Sequence, residues 1–111
     1  MDASTKKIRV DENSCSVREV LDVIGGKWAM PIIYVLSKGT LRFKDLERSI
    51  AGINTRMLVK ELKNMEANGI LTRQVFATVP PTVEYTLTLK GEKLLPSIVA
   101  LHAWGIEFAA K

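Results

Sequence analysis

Asn54-Thr55-Arg56-Met57-Leu58-Val59-Lys60-Glu61-Leu62-Lys63-Asn64-Met65-Glu66-Ala67-Asn68-Gly69 reads as one complete helix, with both of its ends marked. Asparagine at the start is a favoured N-cap, because its side-chain oxygen accepts a bond from an amide that has no partner inside the helix. Glycine at the end tolerates the left-handed backbone with which many helices stop. At about 100° per residue, Leu58, Leu62 and Met65 fall on one side and must face a core. Arg56, Lys60, Lys63 and Asn64 fall on the other side, with Asn54 and Thr55 at the exposed N-terminal end. A helix divided in this way suits the major groove of a duplex, where N-terminal residues meet base edges and long basic side chains reach bases or phosphates. A solvated surface helix shows the same division, so the flanking elements decide between the two.

On the N-terminal side, Ala51-Gly52-Ile53 makes a tight connection to a short third helix, about Lys44 to Ser49, which turns Leu46 and Ile50 inward. Thr40 to Phe43 is a short extended piece before it. On the C-terminal side two strands are expected, about Ile70 to Ala77 and Thr82 to Thr88, with Val83, Tyr85 and Leu87 alternating on the second. Pro80-Pro81 between them forbids a tight two-residue hairpin and implies an extended loop. Two helices joined by a short Gly-containing turn form a helix-turn-helix, and a two-stranded ribbon directly after the second is a wing.

Three further helices complete the order. Ser16-Val17-Arg18-Glu19 is a capping-box pattern that opens a first helix, and Gly25-Gly26 stops it. A second runs from about Lys27 to Ser37 and buries most of Trp28, Ile32, Ile33, Val35 and Leu36. Pro31 is tolerable there if it falls in the first turn, where its amide has no partner to lose. Thr88 caps a last helix from about Leu89 to Ala110. Met1 to Asn13 has no periodicity and reads as a flexible arm, which leaves residues 14–111 as a single domain. The fold class is mainly α with a small β-ribbon (α+β), a winged helix-turn-helix with N- and C-terminal dimerisation helices.

Composition agrees with that size and narrows the function. A chain of 111 residues has room for one domain. Its charged fraction of 25% and hydrophobic fraction of 47% belong to an ordinary folded protein. No apolar run is long enough to span a bilayer, and Met1 to Glu12 lacks the apolar centre of a signal peptide. One cysteine cannot close an internal disulfide, which fits a reducing cytoplasm. Between Lys38 and Lys63 there are seven basic residues against three acidic, so this segment carries the whole net charge of +4. A basic segment on a neutral body is the footprint of a phosphate-backbone partner. No paired carboxylates, nucleophile–base constellation or phosphate-binding glycine loop points to an enzyme, so no catalytic residue is assigned. His102 is the only histidine and has no Cys or His at ligand spacing, so no metal or cofactor is expected.

Beyond the fourth helix, Arg42 and Lys44 flank the start of the third, where free amides and positive charge suit a phosphate; ordinary surface charge is the competing reading. Arg73 and the loop from Ala77 to Thr82 are placed to reach the minor groove or the backbone, although that loop carries no basic residue. The last helix is apolar over more than one stripe. Leu94, Ile98, Leu101, Trp104 and Phe108 are assigned to a homodimer seam with the first helix, because a small winged helix has too little core to bury them all. Such a dimer sets two recognition helices about one turn, ~34 Å, apart on a near-palindromic duplex.

The pattern resembles a known family. Cys15 followed by Leu21-x-x-Ile24-Gly25-Gly26-Lys27-Trp28, then Leu41-Arg42-Phe43-x-x-Leu46, is similar to the HxlR-type winged-helix regulators. So are Gly52-Ile53, Met57-Leu58, Leu62, Glu66-x-x-Gly69-Ile70, Val79-Pro80-Pro81-x-Val83-Glu84-Tyr85-x-Leu87-Thr88 and Gly91. The resemblance covers about Cys15 to Phe108. It implies a homodimeric transcriptional regulator of bacterial or archaeal type, binding double-stranded DNA sequence-specifically. The rival from another class is a winged helix used only for protein–protein contact. Similar proteins usually carry Arg after the Pro-Pro of the wing, where this chain has Thr82, and an aliphatic residue at the place of Pro31. Some members sense electrophiles or oxidants through a cysteine near the N-terminus, which makes Cys15 the sensing candidate. Its place before a helix N-terminus favours the thiolate; a cysteine that merely packs is the alternative.

Overall fold

The computed structural model describes residues 16–109, so the N-terminal arm, Cys15 and the final two residues lie outside it. The elements are α1 (Val17–Ile24), α2 (Ala29–Leu36), β1 (Leu41–Arg42), α3 (Phe43–Ser49), α4 (Thr55–Ala67), β2 (Leu71–Phe76), β3 (Thr82–Leu87), α5 (Leu89–Glu92) and α6 (Leu95–Trp104), followed by a π-helical turn at Gly105–Ala109. Winged helix-turn-helix architecture follows from that order.

Local chemistry sets the boundaries. Ser16 caps α1 by accepting from the amide of Glu19 at 3.3 Å. In α2 the first helical bond is donated by Ile32 to the carbonyl of Trp28 at 3.1 Å. Pro31 therefore falls among the amides that have no acceptor, and the helix is not broken. α4 ends in a Schellman arrangement, with Ile70 donating to Met65 at 2.9 Å and Gly69 to Glu66 at 3.0 Å. The motif needs the left-handed φ of 74° at Gly69, which a side chain would disfavour.

Two features differ from the sequence reading. The wing is a three-stranded sheet of order β1-β3-β2, because the short extended piece pairs with the ribbon at Leu41↔Tyr85 and Arg42↔Glu84. The ribbon itself runs from Leu71↔Leu87 to Phe76↔Thr82. The last helix, expected as one span, is instead broken into α5 and α6. Pro96 is the cause: it has no amide to donate and would clash with the carbonyl of Glu92, so it is accommodated only in the first turn of a new helix.

α2 is the centre of the core, with Ala29, Ile32, Ile33 and Leu36 all buried. Leu46 of α3, Leu58, Leu62 and Met65 of α4, and Ile70, Leu71 and Tyr85 of the wing close around it. The apolar side of α4 is thus fixed to the body of the domain, and its other side faces out.

Candidate nucleic-acid interface

The outward side of α4 carries Arg56, Lys60, Lys63 and Asn64, all exposed, with Asn54 and Thr55 exposed at its N-terminal end. Asn54 is committed to the cap, where its side-chain oxygen accepts from the amide of Met57 at 2.9 Å. Thr55 is also engaged: its hydroxyl donates to the carboxylate of Glu47 and ties α4 to α3 across the turn. Asn64 gives its carbonyl to the side-chain amide of Asn68 at 2.9 Å, and its own side-chain oxygen lies 3.4 Å from that amide. Arg56, Lys60 and Lys63 have no hydrogen bond or ion pair among the described interactions, so their charges are available to a partner.

Two surface depressions collect the remaining candidates. Between α4 and the wing, Lys63 and Arg73 line one groove together with Glu66, Phe43 and Tyr85. Between α3 and the wing loop, Arg42 and Lys44 line a second groove together with Pro81 and Thr82. Arg48 belongs to this second group, although the sequence reading counted its charge without assigning it a role. Its spacing of one helical turn from Lys44 is the signal that places the two on one side of α3. Asp45 holds the Arg48 guanidinium at 2.6 Å, in an exposed pair that fixes its direction while adding little stability. The wing tip is exposed throughout, with Val79 at 99%, and its neighbouring charge comes from α3 and not from the loop.

The seam candidates divide. Leu101 and Trp104 are 54% and 59% exposed, and Phe108 is equally open, with its ring 5.6 Å from that of Trp104. α1 presents Val17, Val20 and Leu21 as a second exposed apolar face. Ile98, by contrast, is only 6% exposed and already belongs to the core of the single chain, and Leu94 is half-buried against that core. His102 is exposed beside Tyr34, ring centroids 6.3 Å apart. Among the described residues no three His, Cys, Asp or Glu side chains converge as metal ligands, and no helix is long and apolar enough to cross a membrane.

Comparison with known proteins agrees with this geometry. Residues 23–111 match the family model described as HxlR-like helix-turn-helix. An HTH-type transcriptional regulator of Methanothermobacter thermautotrophicus is 43% identical over 95 residues, covering 86% of this chain and 72% of the relative. A crystal structure from Porphyromonas gingivalis W83, described as a MarR-family transcriptional regulator, superposes with a TM-score of 0.81 at 36% identity, covering 90% of this chain and 98% of that one. The redox regulator HypR in its oxidised form gives a TM-score of 0.79 at 42% identity, covering 84% and 96%. These relatives are transcriptional regulators and not enzymes, which sets aside a winged helix devoted to protein–protein contact alone. The chain belongs to the HxlR-like helix-turn-helix family and is a DNA-binding transcriptional regulator.

Proposed function

We propose that this regulator acts in the cytoplasm as a homodimer that reads a near-palindromic operator through α4. The observation that carries the reading is the division of α4 itself. Leu58, Leu62 and Met65 are locked in the core, while Arg56, Lys60 and Lys63 stand exposed and uncommitted on the opposite side. Arg56, near the N-terminal end, is the base-reading residue, since a guanidinium donates two bonds to a guanine edge. Asn54 and Thr55 shape the helix start, and Asn64 borders the contact. Lys60 and Lys63 meet phosphates, as do Arg73 across the first groove and Arg42, Lys44 and Arg48 beside the wing. Leu101, Trp104 and Phe108 form the seam with the apolar face of α1. A mobility shift of the wild-type protein on duplexes selected from a random pool tests the reading. Binding should favour sequences with two-fold symmetry and weaken steeply with salt; selection of no common sequence would overturn it.

Cys15 is proposed as an oxidant-sensitive thiol. Support comes from its place in the sequence just before α1 and from the likeness to HypR, a redox regulator with a structure solved in its oxidised form. Oxidation should change operator affinity in the wild type and leave Cys15→Ser unaffected, while the reduced variant binds normally. Equal responses of the two proteins to oxidant would remove Cys15 from the mechanism.

A further inference from the structure

Thr88-x-x-Gly91, at the end of β3 away from the wing loop, lines neither groove, yet its packing is specific. The amide of Thr88 donates to the carbonyl of Ile70 at 3.0 Å. Its hydroxyl lies 2.6 Å from the carbonyl of Gly69 and 3.0 Å from that of Ile70, and accepts from the amide of Gly91 at 3.1 Å. Gly91 approaches so closely that a Cβ there would stand 2.2 Å from the Ile70 carbonyl oxygen. α5 is therefore seated directly on the turn by which the chain leaves α4.

Lys90 completes the contact. Its ammonium donates to the carbonyl of Asn68, the C-cap of α4, at 2.7 Å. Its stem runs along Gly69, 3.8 Å from where a side chain at that position would begin. α4 has no basic residue in its own last turn. A cation at the C-terminal carbonyls offsets the negative end of a helix dipole, and here it comes from the next helix. From α5 the chain passes directly into α6.

We propose that Lys90 is a positioning residue that ties the C-terminal end of α4 to α5, and through α5 to α6, holding the recognition helix at a fixed angle to the dimer seam. The part concerning operator geometry rests on the homodimer reading above; the tie between Lys90 and α4 does not. Lys90 touches no base or phosphate in this account, so its loss affects how two recognition helices are aligned and not how one of them binds.

The test uses full-length protein, Lys90→Met and Lys90→Arg. The probes are the duplex selected by the wild type, one isolated half of it, and versions with one base pair added or removed at the centre. Amide hydrogen exchange at Asn68, Gly69 and Ile70 is followed in parallel. Lys90→Met should bind the half-site like wild type, lose roughly two- to fivefold of its discrimination against altered spacing, and exchange faster at these amides, with Lys90→Arg restoring both. Unchanged exchange in Lys90→Met overturns the tie. Equal loss on the half-site and the full duplex would mean a direct phosphate contact and also overturn it. A wild type indifferent to spacing would instead defeat the homodimer reading, and amide exchange alone would then decide the role of Lys90.

Discussion

Arg56 leaves α4 one position beyond a threonine whose hydroxyl is already bonded to Glu47, and the two neighbours make different predictions. Thr55→Val removes a bond between α3 and α4 and should lower stability by about 0.5–1.5 kcal/mol in a denaturant titration. Base preference in the selected operator should stay as it was, because the lost group faces α3. Lys63→Ala should weaken binding to specific and random duplexes alike and reduce the slope of log affinity against log salt by about one, read from titrations at several salt concentrations. An unaltered slope would take Lys63 off the phosphate backbone. The cap at Asn54 and the inward set of Leu58, Leu62 and Met65 were legible from spacing alone, because each depends only on helical period and local hydrogen bonding. The engagement of Thr55 was not, since Glu47 reaches it only once the turn at Gly52 has folded the two helices together. Arg48 has a local mark in its one-turn spacing from Lys44, but the groove the two share with the wing exists only when β3 lies beside α3.

Among the elements, the C-terminal segment shows where a sequence pattern misleads. Its apolar residues from Leu94 to Phe108 are dense enough to suggest one long helix, and that density masked the interruption that Pro96 imposes. It also merged two populations, since Ile98 is buried in the chain itself while Leu101 and Trp104 are exposed. These groups respond differently to charge. Ile98→Glu places a carboxylate in the core and should unfold the domain, visible as loss of the cooperative thermal transition. Leu101→Glu with Trp104→Glu should leave the fold intact by circular dichroism and shift sedimentation from dimer to monomer, with loss of operator binding. A folded double variant that stays dimeric would move the seam elsewhere. The third strand was expected as an extended piece but not as part of the sheet, because pairing of Leu41 with Tyr85 joins residues far apart in the chain and leaves no local mark.

At the scale of the whole molecule, the basic residues from Arg42 to Lys63 lie on α3, on α4 and beside the wing, whereas Lys38 stands over the Tyr34 ring of α2. α3 and the wing bring Arg42, Lys44 and Arg48 to one groove, and α4 and the wing bring Lys63 and Arg73 to another. The apolar faces of α1 and α6 are separate from these grooves. Regulation then depends on whether α4 meets base edges or only phosphates. The decisive measurement is the affinity of wild type and Arg56→Ala for the selected operator and for every single-base-pair variant of it, by fluorescence anisotropy at one salt concentration. Arg56→Ala should lose roughly 1–3 kcal/mol on the operator and become indifferent to the base pair at one position in each half-site, while keeping wild-type preferences elsewhere. Wild-type affinity together with an unchanged preference at every position would contradict the placement of α4 in the major groove.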